Sequence, residues 1–267
     1  MKTELKMKTL LICHHDSPLN RYGIPLWLMS FSNLSGIIII HENKNKKIKR
    51  LKHELKRSGL IRLFDMIAFK IFYYFKYKKK DSKWCNKKLD QLKNSFNFNL
   101  KNIPSITVSN PNSNIAKNFI SSKDPDIIIA RCKVLLKYEI FSKAKTGTFI
   151  MHPGICPEYR NSHGCFWGIV NRDYDKVGMT LLKINRGIDS GPIYGYYYVE
   201  GFNMHKESHI TIQNRAVFEN LELIQNKLLE AHLGKASVIK SKNRQSKIWG
   251  QPWLSSYYKW KHNEKKI

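Results

Sequence analysis

A run of four consecutive isoleucines, residues 37–40, constrains the fold of this chain more than any other feature of its sequence. A short, continuously apolar run of β-branched residues is typical of a strand that is buried on both faces of a parallel sheet. Strand and helix patterns alternate along the chain around it. Strands are predicted at 9–13, 36–41, 105–108, 126–130, 148–151 and 178–184, and helices at 24–31, 115–121, 136–142, 163–170 and 210–233. This alternation predicts an α/β fold with a mostly parallel sheet, in which ligands bind beyond the carboxyl ends of the strands.

A histidine lies at the point where one of these strands ends. His152 follows the 148–151 strand and precedes Pro153 and Gly154. Because proline disfavours the α region for the residue before it, we expect His152 to be held in an extended conformation. An imidazole at that place can donate a proton or stabilise negative charge near neutral pH. The structural alternative is a loop histidine whose hydrogen bonds are satisfied locally.

A carboxylate lies in a second tight loop about forty residues later. The loop reads Gly187-Ile188-Asp189-Ser190-Gly191-Pro192, and we expect its two glycines to permit the turn. Asp189 can orient the imidazole of His152, raise its affinity for a proton or accept a proton from a nucleophile. The structural alternative is an aspartate that forms an Asx turn. The histidine and the aspartate together indicate a catalytic site.

In their order and spacing, these motifs resemble those of the folate-dependent formyltransferase family, which includes the glycinamide ribonucleotide, methionyl-tRNA and nucleotide-sugar N-formyltransferases. In that family a strand ends in Asn-x-His and is followed by a proline-containing loop, Tyr-Arg, a helix, a strand and a loop of the type Asp-Ser-Gly-Pro. The corresponding segments here are Ile150-Met151-His152, 153–157, Tyr159-Arg160, 163–170, 178–184 and Asp189-Ser190-Gly191-Pro192. The resemblance covers about fifty residues strongly, and a weaker match extends over 8–145.

The resemblance implies a Rossmann-like, mostly parallel sheet of the formyltransferase type. It divides the chain into an α/β domain, 1–205, and a C-terminal extension, 206–267, which consists of a helix and an aromatic and basic tail. A basic helical insertion occupies about 43–101 within the domain. The extension is too short for the C-terminal barrel with which the methionyl-tRNA enzymes bind their RNA.

The activity that the resemblance implies is transfer of a formyl group from 10-formyltetrahydrofolate to an amine acceptor, such as a nucleotide-linked sugar. His152 would stabilise the oxyanion and act as a general acid, and Asp189 would be its electrostatic partner and proton relay. Arg131, which follows the 126–130 strand, is assigned to donor binding. The same role is assigned to residues of the two loops, namely Pro153, Gly154, Gly187 and Gly191. The alternatives are a formyltetrahydrofolate hydrolase and a catalytically silent scaffold that binds folate or another anion.

One position departs from the family pattern. The catalytic asparagine of the family falls on Ile150, which has no hydrogen-bonding side chain. Loss of one such donor typically lowers the rate by ~10²–10³. Asn161 and His163 are the candidates to fill the gap, with Asn161 preferred, and the alternative for Asn161 is a plain loop residue. Ser162 is expected to be the N-cap of the helix that begins at His163.

The chain is strongly basic, with 47 Lys and Arg against 20 Asp and Glu and a formal net charge of +27. Such a surface favours anionic partners, which include nucleotide-sugars, the acidic tail of a folate, RNA and an anionic membrane. An RNA partner is not favoured, because the sequence shows no RNA-binding motif. Five cysteines without a C-x-x-C pair argue against a disulfide framework or a zinc site, and no metal is expected. The N-terminal apolar run is too short for a signal peptide. Together with the unpaired cysteines, it predicts a cytoplasmic protein.

The insertion contains an apolar and aromatic segment, residues 60–77, with basic residues on both sides. The pattern fits a basic amphipathic helix in a membrane interface, which would make the protein peripheral to the membrane. The alternative is a helix that packs on the domain or forms a dimer contact, and the oligomeric state is left open. The aromatic residues of the tail, 249–267, are expected to pack on the core rather than to stack on bases.

Overall fold

The computed structural model describes residues 6–42, 44–241 and 243–264. Residues 1–5, 43, 242 and 265–267 lie outside the described residues, and they include the outer ends of the predicted units 1–205 and 206–267 and the start of the predicted insertion. The strands of the described chain are β1 (Lys8–His14), β2 (Asn33–Ile40), β3 (Ser105–Val108), β4 (Ile127–Arg131), β5 (Gly147–His152), β6 (Arg160–Asn161), β7 (Gly178–Lys183), β8 (Ile193–Tyr198) and β9 (Ile248–Trp249). Its α-helices are α1 (Ile24–Phe31), α2 (Lys44–Lys76), α3 (Lys78–Ser95), α4 (Asn114–Lys123), α5 (Tyr138–Phe141), α6 (Gly164–Val170), α7 (His209–Phe218), α8 (Leu221–His232) and α9 (Leu254–Glu264).

Seven strands form one sheet in the order β3-β2-β1-β4-β5-β7-β8, and β6 pairs separately with β9. The first five strands of this order are parallel to one another, whereas β7 and β8 are antiparallel to their neighbours. The predicted mostly parallel sheet is therefore confirmed. From β1 the chain builds outward to β2 and β3 and then reverses to β4 and β5. The carboxyl ends of β1 and β4 consequently flank the crevice in which sheets of this kind bind ligands.

The side chains of the isoleucine run pack alternately into two apolar cores, one on each face of the sheet. Ile37 and Ile39 lie in the apolar cluster on one face of the sheet, together with residues of α1, α6, α7 and α8. Ile38 and Ile40 lie in the cluster on the opposite face, together with residues of α4 and α5. Because successive side chains of a strand point to opposite faces, a continuously apolar run requires cover on both sides. The prediction of a strand buried on both faces is confirmed.

The other predicted elements are present, and several have shifted ends. Helix α1 and strand β3 have the predicted bounds, whereas α5 covers only Tyr138–Phe141 of the predicted 136–142. Strand β8 was not predicted. Its residues alternate between buried and more exposed positions as an edge strand does, but five of the six are tyrosine or glycine, so the apolar alternation is hidden.

The predicted helical insertion forms α2 and α3. Gly59 interrupts α2 with a left-handed backbone (φ +76°, ψ 173°), which glycine adopts without steric cost because it has no Cβ. After this kink, Met66 and Phe69 are buried, and Phe69 belongs to the same core cluster as Ile37. The alternative in which this helix packs on the domain is therefore confirmed for one of its faces. Among the residues that the structure describes, no helix combines the length and the apolar character needed to cross a bilayer.

The predicted single helix over 210–233 is wrong, because two helices occupy this range. Helix α7 ends at Phe218 and α8 begins at Leu221. Between them, the side-chain Nδ2 of Asn220 donates to the carbonyl oxygens of Ala216 (3.1 Å) and Tyr198 (3.2 Å). An asparagine that bonds backbone carbonyls in this way competes with the helical ladder, and so it ends the first helix without glycine or proline.

The C-terminal tail returns to the main body of the molecule. Helix α9 buries Tyr257 and Trp260 in the larger core cluster, and the Tyr257 hydroxyl lies 3.0 Å from that of Tyr77. The prediction that the tail aromatics pack on the core is confirmed. Residues of 1–205 and of 206–267 share this one cluster, so the extension completes the core of the preceding domain.

Candidate active site

His152 is the last residue of β5, and its imidazole lies between two acceptors. Its side chain is 3 % exposed. Nε2 lies 2.8 Å from the carbonyl oxygen of Tyr159, and because a carbonyl only accepts, Nε2 carries a hydrogen. Nδ1 lies 3.4 Å from Oδ2 of Asp189. Both ring nitrogens therefore face acceptor oxygens, and the carboxylate of Asp189 lies where it can orient the imidazole.

Two glycines allow the loop after His152 to approach helix α6 closely. A Cβ at Gly154 would lie 2.5 Å from the carbonyl oxygen of Tyr159 and 2.9 Å from the Cα of Gly164. The Thr180 hydroxyl of β7 fixes the loop from the other side, because it donates to the Gly154 carbonyl (2.7 Å) and accepts from the Cys156 N–H (2.9 Å). The loop that follows His152 is therefore held by α6 on one side and by β7 on the other, as a preorganised site requires.

The loop of Asp189 turns in a way that its sequence did not reveal. We expected Gly187 and Gly191 to supply the turn conformation, but the left-handed residue is Asp189 itself, with φ +45°. The glycines serve close approach instead, because a Cβ at Gly191 would overlap the Lys183 carbonyl and one at Gly187 would overlap the Ser190 hydroxyl. This loop therefore aims its carboxylate by using a backbone conformation that aspartate tolerates.

Asn185, which sequence reasoning missed, closes the Asp189 loop. Its Oδ1 accepts from the Gly187 N–H (2.9 Å) and from the Ser190 hydroxyl (3.1 Å), and its Nδ2 donates to the Ser190 carbonyl (3.0 Å). An asparagine two residues before a glycine is a signal for an Asx turn that the sequence contains.

Asn161 reaches the site through its backbone. Its N–H donates to Oδ2 of Asp189 (2.8 Å), which anchors the same oxygen that faces His152. Its side-chain Nδ2 donates to the carbonyl oxygen of Trp249 (2.5 Å). The structure thus places Asn161 beside the pair as a residue that positions Asp189, and its predicted role as a substitute donor stays a prediction.

His163 occupies a different place. It is the N-cap of α6 with a left-handed backbone (φ +55°), so the prediction that Ser162 caps this helix is wrong. Its ring packs edge-on against that of His209, with centroids 5.1 Å apart. In the described part of the chain it makes no hydrogen bond or ion pair with His152 or Asp189, and its buried Nδ1 has no partner there. Burial, and then the positive charge of Lys133, lower the pKa of His163 to about 4.

Ile150 places an apolar surface beside His152. The two residues stand two positions apart on β5, so their side chains lie on the same face of the strand. Ile150 packs in a small cluster with Cys156, Leu182 and Ile193. Burial, and then the negative charge of Asp189, raise the pKa of the Cys156 thiol, which therefore stays protonated and unreactive near neutral pH.

Arg131, predicted to bind the donor, lies at the end of β4 next to β5. Its Nη1 donates to the Met151 carbonyl and its Nε donates to Oδ1 of Asn20 (3.1 Å). Burial lowers its pKa to about 10, so the guanidinium remains charged near neutral pH. Its Nη2 has no hydrogen-bond partner among residues 6–42, 44–241 and 243–264. This nitrogen is the donor that Arg131 can offer to a ligand.

A segment of the tail that sequence reasoning missed closes over the His152 loop. Strand β9 pairs with β6, which sets Trp249 opposite Asn161. The Trp249 ring stacks on those of Tyr159 (5.6 Å between centroids) and Trp167 (4.7 Å), and its Nε1 donates to the Glu158 carbonyl (2.9 Å). The aromatic and basic composition of the tail indicated packing, but no local signal indicated this partner.

Arg244, which precedes β9, links the tail to the segment that follows the His152 loop. Its guanidinium pairs with both carboxylate oxygens of Glu158 (2.8 and 2.7 Å) and donates to the Tyr196 hydroxyl. That hydroxyl in turn donates to the Cys156 carbonyl (2.8 Å). A two-point arginine–carboxylate pair fixes geometry as well as charge, so the tail contributes to holding the loop of His152.

Two further features of the described residues bear on the site. A cleft of about 390 Å³ opens between Tyr174, Met204 and Trp260, and neither His152 nor Asp189 lines it. No cluster of three or more His, Cys, Asp or Glu within the described ranges has the arrangement of a metal site.

The sequence is similar to that of methionyl-tRNA formyltransferases. It is 29% identical over 132 residues to the enzyme of Thermotoga neapolitana, a match that covers 47% of this chain and 42% of that one. It is 26% identical over 92 residues to the enzyme of Chlorobium chlorochromatii, covering 34% and 29%. The chain thus spans less than half the length of these relatives. No family model matches it.

The fold is similar to that of solved formyltransferases over nearly the whole chain. A sugar N-formyltransferase from a Shewanella species has a TM-score of 0.53 at 16% identity, covering 94% of this chain and 78% of that one. A phosphoribosylglycinamide formyltransferase from Anaplasma phagocytophilum has a TM-score of 0.55 at 11% identity, covering 92% and 100%. A 4-N formyltransferase from Francisella tularensis has a TM-score of 0.51 at 15% identity, covering 95% and 78%. The chain is thus similar in sequence to methionyl-tRNA formyltransferases over part of its length, and it has the fold of the solved formyltransferases.

Proposed function

We propose that this chain is a transferase that moves a formyl group from 10-formyltetrahydrofolate to the amine of a small-molecule acceptor. The observation that carries the proposal is the pair of His152 and Asp189, whose Nδ1 and Oδ2 atoms lie 3.4 Å apart at the carboxyl end of β5. The fold supports it, because it is similar to that of solved formyltransferases over nearly the whole chain.

The two ring nitrogens of His152 have different tasks in this proposal. The 2.8 Å bond from Nε2 to the Tyr159 carbonyl fixes the plane of the ring. Nδ1 lies 3.4 Å from Oδ2 of Asp189, beyond a normal hydrogen-bond length, which leaves Nδ1 available to a substrate that binds beside this carboxylate. When an amine attacks a formyl carbon, negative charge develops on the formyl oxygen, and a buried imidazole that donates a hydrogen bond stabilises that charge strongly.

Asp189 provides the countercharge and takes up a proton. Its Oδ2 is held by the Asn161 N–H and faces Nδ1 of His152, which orients the imidazole. Its Oδ1 has no partner in the part of the chain that the structure describes, and the side chain is 11% exposed. This oxygen can therefore accept the proton that the attacking amine loses.

The residues around the pair fit a folate donor in charge and shape. When bound, 10-formyltetrahydrofolate would supply an activated formyl group and an acidic tail. Arg131 presents a partly buried cation whose Nη2 has no partner among the described residues, and the cluster around Ile150 presents an apolar surface on the same face as His152. The net charge of +27 attracts the acidic tail.

A nucleotide-linked sugar is the acceptor that we propose. The Shewanella neighbour is a sugar N-formyltransferase, which supports a sugar amine as the nucleophile. The basic surface supports an acceptor that carries phosphate.

Incubation of the full chain with 10-formyltetrahydrofolate tests the activity, with formation of deformylated folate as the readout. We expect deformylation only when an amino-sugar nucleotide is added, together with formation of its N-formyl product. Deformylation at the same rate without an amine would replace this proposal with hydrolysis. Folate binding without turnover would indicate a silent scaffold, an outcome for which Ile150 gives a physical reason because it lacks the second donor.

A further inference from the structure

The part of α2 after the Gly59 kink has apolar side chains on two opposite faces. Met66, Phe69 and Tyr77 face the protein and are buried. The opposite face carries six exposed apolar side chains at helical spacing, which we call the outer stripe: Leu60, Phe64, Ile67, Ile71, Tyr74 and Phe75. Phe64 is 67% exposed and Phe75 is 82% exposed. A continuous apolar stripe of this kind on a folded protein marks an interaction surface.

The charges around the outer stripe are positive. Lys70 is exposed beside it, and three exposed lysines, 78–80, follow its end directly. The only acidic residue within 60–80 is Asp65, which lies off the stripe. Asp65 accepts from the backbone N–H of Ser255 (2.9 Å) and pairs with Arg62 at 3.7 Å. The stripe therefore presents apolar side chains with basic flanks and without a free acid.

The apolar side chains and the basic flanks together limit which kinds of surface can cover the outer stripe. A second copy of the chain would set two bodies of formal charge +27 against each other, which opposes a symmetric contact. A nucleic acid would neutralise the lysines and its bases could stack on the aromatic rings, but it offers no aliphatic surface to Leu60, Ile67 and Ile71. An anionic bilayer satisfies both demands, because acyl chains receive the apolar face and lipid headgroups pair with the lysines.

We propose that the outer stripe docks this protein on an anionic phospholipid surface. Helix α2 then lies in the plane of the interface, with Phe64 and Phe75 inserted below the headgroups and residues 78–80 among them. The core face of the helix stays packed on the domain, so docking needs no unfolding of the protein. The inference is independent of the proposed formyl transfer, because no residue of the His152 site takes part in it.

Flotation of the full chain with vesicles tests the proposal. Phosphatidylcholine vesicles with and without phosphatidylglycerol are compared for the wild type, for Phe64→Glu/Phe75→Glu and for Ile115→Glu/Leu223→Glu. The last variant is the matched control, because Ile115 and Leu223 are exposed apolar residues elsewhere on the surface and the change in charge is the same. Circular dichroism and thermal melting show whether each variant is folded.

We expect the wild type and the control to float with the vesicles that contain phosphatidylglycerol and not with those of phosphatidylcholine only. The stripe variant should bind at least about tenfold more weakly, because charges replace two inserted aromatic rings. Absence of wild-type flotation, or an equal loss in the control, would overturn the proposal. A dimer in light scattering that the stripe variant converts to a monomer would assign the stripe to a second copy, and loss of oligonucleotide binding in that variant alone would assign it to a nucleic acid.

Discussion

At the scale of single residues, the chemistry rests on which atoms face His152. The Tyr159 carbonyl faces Nε2 and the Asp189 carboxylate faces Nδ1, so these two acceptors set the orientation of the ring. Asn185 holds the Asp189 loop from within the loop, whereas Thr180 and Asn161 lie more than twenty residues from the groups that they hold. The loops that carry the pair were therefore open to prediction from the motifs, whereas the contacts that fix the two side chains required the structure.

Asp189→Asn removes the countercharge and leaves the volume unchanged. We expect the rate of formyl transfer to fall by about 10²–10³, with little change in KM, because His152 loses its charged partner and the attacking amine loses its proton acceptor. Steady-state kinetics with 10-formyltetrahydrofolate measure the effect. Asp90→Asn, on the exposed side of α3, serves as the control and should keep wild-type turnover. Wild-type turnover in Asp189→Asn would remove this carboxylate from the mechanism.

Ile150→Asn tests the departure from the family pattern. Position 150 lies on the same face of β5 as His152, so an amide there can donate toward the formyl oxygen. We expect turnover to rise by about tenfold or more, since one oxyanion donor is worth ~10²–10³. The amide enters an apolar cluster, so the free energy of unfolding should fall by about 1–3 kcal/mol.

Kinetics and chemical denaturation of the same variant separate these two effects. Ile150→Val is the matched change that keeps the site apolar. It should leave turnover unchanged and lower the free energy of unfolding by no more than about 1.5 kcal/mol. If Ile150→Asn is no faster than the wild type, another group already provides the contact, and Asn161 is the first to examine.

At the scale of elements, the site depends on how closely β5, α6 and β9 approach one another. Gly154 and Gly164 lack the side chains that would separate the His152 loop from α6. Trp249 then covers the loop through its stacking on Tyr159 and Trp167. Helix α6 was predicted from its apolar pattern, but the pairing of β6 with β9 joins residues nearly ninety positions apart. Local sequence patterns do not encode such partners.

Gly164→Ala should disturb the site from within α6. The added Cβ would lie 2.7 Å from the Pro153 carbonyl oxygen and 3.0 Å from that of Tyr159, so the loop or the helix must move. We expect a loss of about 1–3 kcal/mol in the free energy of unfolding, together with reduced turnover. Chemical denaturation and kinetics measure the two effects. Gly168→Ala on the same helix, where the nearest atom lies at 3.3 Å, should cost less, and an equal cost would show that the loop contact is not decisive.

At the scale of the whole molecule, one core joins the sheet, the insertion and the C-terminal helices. The ring of His163 in α6 and that of His209 in α7 meet inside this core, 5.1 Å apart. Burial lowers the pKa of His163 to about 4 and that of His209 well below its ordinary value of 6.5. Both imidazoles are therefore neutral in the folded protein near neutral pH.

This pair predicts how stability changes with pH. The unfolded chain takes up protons on these histidines near pH 6.5, whereas the folded chain resists protonation of His163 until about pH 4. The unfolded state then binds more protons, so the free energy of unfolding falls as the pH drops from about 6.5 toward 4. Thermal melting across this range measures the slope. His163→Gln should reduce the slope, whereas the exposed His262→Gln should leave it as in the wild type, and equal slopes in all three proteins would contradict the prediction.

The sequence by itself determined the alternation of strands and helices, the strand buried on both faces at residues 37–40, and the two loops that carry His152 and Asp189. These features follow from side-chain periodicity and from the backbone preferences of proline and glycine, which act between residues close in the chain. Only the tertiary structure decided that β9 covers the site, that Asn161 holds Asp189 by its backbone, and that α2 buries one apolar face and exposes the other. Each of these depends on which distant surfaces meet, and an apolar side chain carries the same local signal whether a core or the solvent covers it.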